Sequence, residues 1–316
     1  MDSLFLKDEN RDQGNAYWES VNNCLVCDSP SDYHASFQSL ADEGVRLYYC
    51  LCKICGLVFQ SPRLSEKGLE AYYSKVYHKQ KMPSREDIRG NIWVQRKRGS
   101  YITELTAKLQ LEPKAHLDIG ASRGAVMKAF HNSFKCETFG IEPGEELRRM
   151  LNSQGLQSFA DIDHLPTSLR NKFDVITMSH TLEHVPEPRN FLAKLQDSWL
   201  ATSGLIIVEV PNLYWHPALE FSHLTAFTEG SLDSLAGQSG HRVSHLIKHG
   251  RPYSRRLPLF LLSVLEPAKE QASELGPVDP LYWIRIKRWL GTNIYRLFQR
   301  VASIIYHQEK MSPWRK

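Results

Sequence analysis

Two C-x-x-C pairs constrain this chain more than any other feature. Cys24-Leu-Val-Cys27 and Cys52-Lys-Ile-Cys55-Gly56 are separated by residues 28–51, and each pair sets two thiolates on one tight turn. Four such sulfurs suit a tetrahedral zinc ion, and a site closed by four protein ligands is structural, with no open position for catalysis. Gly56 lets the second turn close so that backbone amides can point at the sulfurs. Cys50 could also offer a ligand, but Cys52 and Cys55 repeat the spacing of the first pair, and Tyr48-Tyr49-Cys50-Leu51 reads as the strand leading in. A disulfide pair or buried free thiols are the alternatives. The acidic start Met1-Asp2-Ser3-Leu4 lacks a cationic export signal, so a cytoplasmic, reducing setting is expected and disulfides are disfavoured. Cys136 stands apart from the four and reads as a core thiol.

Beyond the cysteines the pattern changes. Residues 81–112 are rich in Lys and Arg and then read as a helix, with Ile92, Val94, Tyr101, Ile102, Leu105 and Leu109 near 3.6-residue spacing. Short apolar runs follow at 115–119, 138–141, 173–178, 205–210, 242–247 and 257–265, separated by helical stretches. Strands alternating with helices predict an α/β fold with a doubly wound parallel sheet. The loop 248–256 is too short for a crossover helix, so the last two runs should pair as an antiparallel hairpin at one end of the sheet. The expected organisation is an N-terminal cysteine domain (1–80), an α/β domain with a leading helix (81–267) and a C-terminal tail (268–316).

Charge is distributed unevenly. Residues 281–316 carry eight Lys or Arg against the single acid Glu309, a net of +7, so residues 1–280 sum to −3 within a whole-chain +4. The basic character belongs to the tail, which disfavours a nucleic-acid-binding body.

The stretch His116-Leu-Asp118-Ile-Gly120-Ala-Ser122-Arg-Gly124 places a turn between the first strand and a helix. Gly120 permits the sharp turn, Gly124 permits helix to pack closely on strand, and small residues between them let a ligand approach the backbone. No Gly-Lys-Ser/Thr follows, so the loop is not a P-loop. Glu142 ends the second strand 22 residues after Gly120, where an acid can grip the ribose hydroxyls of an adenosine ligand. The alternative is that both glycines serve helix–strand packing alone.

With these residues in view, the chain resembles the class I S-adenosylmethionine-dependent methyltransferases that carry an N-terminal zinc ribbon. The resemblance runs from about residue 20 to 265 through CKICGLVFQ at 52–60, GIEP at 140–143, FDVITMSHTLEHVPEP at 173–188, LIIVEVPN at 205–212 and HLTAFTEGSLDSL at 223–235. Ser122 stands where the glycine-rich loop of that family usually has another glycine. The resemblance implies a Rossmann-like sheet of six parallel strands plus one antiparallel, with S-adenosylmethionine as cofactor and zinc in the ribbon. It implies that Asp118, Gly120, Ser122 and Gly124 hold the methionine end and Glu142 the ribose. Asp161 and Ile162 would flank the adenine, while Ser179 and His180 would face the methyl donor and the substrate.

Methyl transfer from a sulfonium is an in-line displacement with an activated donor, so the protein must chiefly align the partners and remove a proton from a hydroxyl acceptor. Histidine suits that task. His223, in the segment that the resemblance puts over the substrate, is the leading base, with His180 and His184 as further candidates. Tyr73, Tyr77 and Tyr214 would wall the substrate pocket. His180, Glu183 and His184 stand at i, i+3 and i+4, one face of a helix, and could bind a divalent metal. The favoured alternative is that Glu183 and His184 fix the loop by hydrogen bonds.

In the tail, Ile294, Leu297, Phe298, Val301, Ile304 and Ile305 form one helical face flanked by Arg296 and Arg300, with Trp283 and Trp289 upstream. Such a helix either docks on the protein's own acidic body, the favoured reading, or on a second subunit, or lies on an anionic membrane surface. The expected activity is methylation of a small molecule or saccharide, most simply at a hydroxyl oxygen; methylation at carbon or nitrogen and a non-catalytic binding module are the alternatives. A nucleic-acid substrate is disfavoured, because no Asn/Asp-Pro-Pro-aromatic motif follows Met178.

Overall fold

A computed structural model describes residues 16–42, 45–72, 85–217, 219–268, 275 and 278–311, with the backbone alone at 85–91 and 302–311. The N-terminal region is built on β strands. A short β1 (Trp18–Glu19) precedes the hairpin of β2 (His34–Asp42) and β3 (Val45–Cys52), then β4 (Val58–Gln60) and β5 (Arg63–Leu64). Strand β5 pairs with β1. Along β3 the inward residues Leu47, Tyr49 and Leu51 are buried and alternate with the more exposed Arg46, Tyr48 and Cys50, the period of a half-buried strand. A single-turn helix α1 (Glu66–Ala71) is capped by Ser65, whose hydroxyl accepts from Gly68 N.

Helix α2 (Arg85–Lys108) leads into the main sheet. That sheet comprises β6 (Ala115–Ile119), β7 (Glu137–Ile141), β8 (Gln157–Phe159), β9 (Phe173–Ser179), β10 (Leu200–Pro211), β12 (His241–His249) and β13 (Phe260–Pro267). Its spatial order is β12-β13-β10-β9-β6-β7-β8. The inner strands β6, β9 and β10 are largely buried on both faces because helices cover both sides. These helices are α3 (Ala125–Phe134), α4 (Glu145–Ser153), α5 (Pro188–Ser198) and α6 (Glu229–Gln238). Strand β13 runs antiparallel to both β10 and β12, so the expected hairpin forms and inserts its second strand next to β10. The result is the anticipated six parallel strands and one antiparallel.

The N-terminal sheet takes a strand from far along the chain. Its order is β11-β4-β3-β2, and β11 (Thr225–Ala226) follows β10 in the sequence. Buried Cys24, Cys52, Cys55 and Phe59 belong to the same apolar core as Leu117, Ile176 and Val208 of the main sheet. Arg63 ties the two together, donating to Pro186 O at 2.6 Å and pairing with Glu187 at 3.0 Å.

Helix α7 (Leu281–Met311) realises the expected tail. Its first part docks on the body: Ile284 is buried, and Arg285 donates to the carbonyls of Phe37 and Ser36. Buried Arg288 donates to the carbonyls of Leu213, His216 and Pro217 and to Gln38 Oε1. Gly291 allows the approach, since a Cβ there would sit 2.2 Å from Tyr214 O. Further out, Trp289, Leu290, Ile294, Leu297 and Val301 are exposed. The side chains of Ile304 and Ile305 lie outside the described residues.

Candidate active site

The glycine-rich loop leaves β6 through three left-handed residues, Gly120 (φ 79°), Ser122 (φ 49°) and Gly124 (φ 73°). A Cβ on Gly120 would meet Thr181 Oγ1 at 2.3 Å, so glycine is required there on two counts. Ser122 N donates to Glu142 Oε2 and Gly144 N to Glu142 Oε1, both at 2.8 Å. Glu142 therefore holds the loop in place from the end of β7. Below it, the geometry reads as a relay: Thr177 Oγ1 donates to Asp118 Oδ1 (2.7 Å) and so accepts from His116 Nε2 (2.9 Å). Burial pushes the Asp118 carboxyl up to about 7 and the His116 imidazole down to about 3.

At the rim, Asp161 caps the turn that follows β8, its Oδ1 accepting from Asp163 N and His164 N, while Ile162 is buried beside it. The loop, Glu142 and this turn all lie at the carboxyl ends of the parallel strands, where a doubly wound sheet binds its ligands.

The other side of that edge is polar and buried. His180 follows β9 in the left-handed region (φ 54°), sparsely populated for a non-glycine residue, held by its N–H to Glu209 O at 2.8 Å. Its Nε2 stands 3.1 Å from Glu209 Oε1, and its Nδ1 stands 3.6 Å from Glu183 Oε1. Glu209, fully buried, is also met by Ser179 Oγ (3.1 Å), Arg98 Nε (3.3 Å) and His249 Nε2 (3.3 Å). Burial alone would raise its pKa, but the two imidazoles and the Arg98 charge outweigh that and hold it ionised. Burial and the Arg98 charge push His180 down to about 4, and burial pushes Glu183 up to about 8. Two carboxyls in one pocket are thus pushed in opposite directions, Glu183 up and Glu209 down, the separation expected when environments differ. Phe260 forms the apolar wall, with the rings of His180, His216 and His249 and the Arg98 guanidinium around it.

The stretch holding His180, Glu183 and His184 is not an α-helix but a 3-10 turn over Leu182–His184. It regroups the expected trio. His180 turns to Glu209, whereas Glu183 and His184 meet His223. His184 Nδ1 donates to Ser222 O (2.7 Å), and the His184 and His223 rings meet edge to face at 4.9 Å. His223 is buried, with Nε2 3.2 Å from Glu220 Oε1.

The N-terminal sheet holds this segment. Tyr49 OH donates to Glu220 O and His223 O, and Gln60 Nε2 to the carbonyls of Glu220, Phe221 and His223. Tyr214 lines the same region, but its hydroxyl donates to Asp279 Oδ2 at 3.3 Å, toward the tail. Tyr73 and Tyr77 lie outside the described residues.

Sequence reasoning missed Glu209, Arg98, His249, Tyr49 and Gln60. One signal was available: a lone Glu inside the apolar run Leu205-Ile-Ile-Val-Glu209-Val-Pro needs buried partners if that run is a central strand.

The four cysteines converge away from this edge. Cys24 Sγ lies 3.4 Å from Cys55 Sγ, Cys27 Sγ 3.6 Å from Cys52 Sγ, and all four sulfurs lie within 4.8 Å of one another. Tetrahedral ligands at about 2.3 Å from zinc stand about 3.8 Å apart, so the cluster fits that ion. Cys50 is outside the group.

Residues 93–256, more than half of the chain, match the family model described as a methyltransferase domain. The chain belongs to this methyltransferase family. Its sheet order and glycine-rich loop are those of the class I, S-adenosylmethionine-dependent kind. Among solved structures, the methyltransferase is similar to the 1,6-didemethyltoxoflavin-N1-methyltransferase of Burkholderia thailandensis, at a TM-score of 0.51 and 16% identity, covering 74% of this chain and 100% of that one. That structure holds 1,6-didemethyltoxoflavin and S-adenosylhomocysteine. The plantazolicin methyltransferase BpumL, in complex with S-adenosylhomocysteine, gives a TM-score of 0.48 at 15% identity, over 64% of this chain and 94% of that one. At 16% identity the likeness to the first of these concerns the fold. A comparison with curated proteins gave no match.

Proposed function

We propose that the methyltransferase moves a methyl group from S-adenosylmethionine to a hydroxyl oxygen of a small-molecule or saccharide acceptor, with His180 taking the hydroxyl proton. The observation that carries this reading is the buried His180–Glu209 pair at the end of β9 and β10. Burial keeps the His180 ring unprotonated at neutral pH, and Glu209 stabilises the imidazolium once it forms, as a positioned carboxylate does beside a general base. Geometry favours His180 over His223 because His223 turns to Glu220 and His184. When bound, the cofactor supplies a methyl group already activated on a sulfonium. Asp118, Gly120, Ser122 and Gly124 would hold its methionine end, Glu142 its ribose, Asp161 and Ile162 its adenine, and Ser179 would face the donor side. The placement supports this: the loop of left-handed residues and Glu142 stand at the carboxyl ends of β6 and β7, and a carboxylate suits a ribose diol.

Turnover with His180→Ala and Glu209→Gln tests the base. Expected is a loss of about 10²- to 10⁴-fold in kcat with cofactor affinity kept. No calorimetric binding of S-adenosylmethionine at millimolar concentration would overturn the enzyme reading itself.

Zinc at Cys24, Cys27, Cys52 and Cys55 would be structural, since four thiolates leave no open position. For localisation we infer a cytoplasmic protein whose tail touches an anionic membrane. Trp289 and Leu297 are 64% and 62% exposed on a helix that also bears Arg296. Among the described residues no helix is long and apolar enough to cross a membrane. Flotation on anionic liposomes should recover the full chain and lose it on truncation after residue 292; equal recovery of both forms would remove the membrane contact.

A further inference from the structure

We infer that Glu183, His184 and His223 form a binding site for one divalent metal cation, distinct from the four cysteines and set beside the His180–Glu209 pair. One ligand atom from each residue lies within 4.8 Å of the others. Ligands at about 2.1 Å from a metal stand about 3 to 4 Å apart, so a small rotation of the rings brings all three into range. Two imidazoles and a carboxylate suit Mn²⁺, Fe²⁺ or Zn²⁺.

Two independent observations point to a ligand here. Glu183 is 1% exposed, and both of its carboxylate oxygens are buried without a hydrogen-bond partner among the described residues. A buried carboxylate in that state is costly unless a cation or proton joins it. The nearest basic group, His180 Nδ1, is 3.6 Å away and belongs to Glu209 at its other nitrogen. Glu183 also lines a small cavity together with Asn212, His223 and Thr225, with room for a single water-sized body.

His184 is oriented as a metal-binding imidazole would be. Its Nδ1–H donates to Ser222 O, which fixes the tautomer whose Nε2 carries the lone pair. His223 is held through its backbone by Tyr49 and Gln60, so the cysteine-bearing region sets the third ligand. Chain positions 183–184 and 223 thus meet through the fold. A cation there would polarise an acceptor hydroxyl next to His180, a role that rests on the hydroxyl reading above, whereas the binding itself does not.

The test is a titration of the purified, zinc-loaded full chain with Mn²⁺, read by calorimetry and by loss of the free-Mn²⁺ paramagnetic resonance signal. Expected is one Mn²⁺ per chain, weakened at least tenfold by Glu183→Gln and by His223→Ala, with cysteine-bound zinc unchanged. Absence of uptake up to millimolar Mn²⁺, or equal uptake by wild type and both variants, overturns the site. Zinc content and circular dichroism report whether each variant folds; if Glu183→Gln does not, His184→Asn replaces it. Because no turnover is needed, a failed titration leaves the hydroxyl reading standing, and a failed cofactor titration leaves the metal site standing.

Discussion

The two halves of the active edge are built in contrasting ways. The half proposed to hold the cofactor comes from short contiguous stretches: the loop 118–124, Glu142, and the turn at 161–162, each ending a strand of one parallel run. The half proposed to face the acceptor gathers Tyr49 and Gln60 from the N-terminal sheet, Arg98 from α2, the turn after β9, Glu209 in β10, His223 and His249. Local sequence therefore specifies the first half, while the second exists only once distant segments have packed. Substitutions should divide accordingly.

The largest effect should come from the cysteine cluster. Cys52→Ser is expected to remove bound zinc, free the 219–224 segment from Tyr49 and Gln60, and abolish turnover, since structural zinc contributes folding energy outright. S-adenosylmethionine binding by calorimetry should survive in whatever remains folded; its loss together with turnover would show that the halves do not separate. Glu142→Ala should act in the opposite sense, raising the cofactor Kd by about 10- to 100-fold, the scale of one or two charged hydrogen bonds, with the acceptor KM unchanged.

Acid should reach the cofactor half through His116. Burial holds this ring at about 3 in the fold against an ordinary 6.5. Below pH 6.5 the unfolded chain takes up a proton that the folded chain refuses, so this contribution is complete above 6.5 and lost as pH falls toward 3. At pH 5 the loss is about 2 kcal/mol. His116→Gln should narrow the stability gap to wild type by about that amount between pH 7 and pH 5 in urea melts. The smallest effect is expected for Gln60→Ala, about 1 to 1.5 kcal/mol or roughly tenfold in acceptor KM, because Tyr49 still holds the carbonyls of Glu220 and His223. A matching change in cofactor Kd would blur the division.

The N-terminal sheet is the clearest case of what sequence left open. Its knuckles are legible because C-x-x-C spacing constrains sulfur geometry directly. Nothing local, however, indicates that β4 would pair with Thr225–Ala226. The tail is similar. Its amphipathic period is visible, but which part docks depends on Arg285 and Arg288 reaching backbone carbonyls at 36–37 and 213–217. The 3-10 turn at Leu182–His184 changed the grouping of three residues that share a face only on an α-helix.

By itself the sequence determined the alternating α/β order, the glycine-rich loop with its distant acid, and the four-cysteine cluster, because strand period, left-handed turns and short cysteine spacings act within a few residues. Tertiary structure decided the buried polar cluster around Glu209. A buried charge such as Glu209 is tolerable only where His180, His249 and Arg98 converge on it, and that convergence is a property of packed strands and helices, not of any stretch of chain.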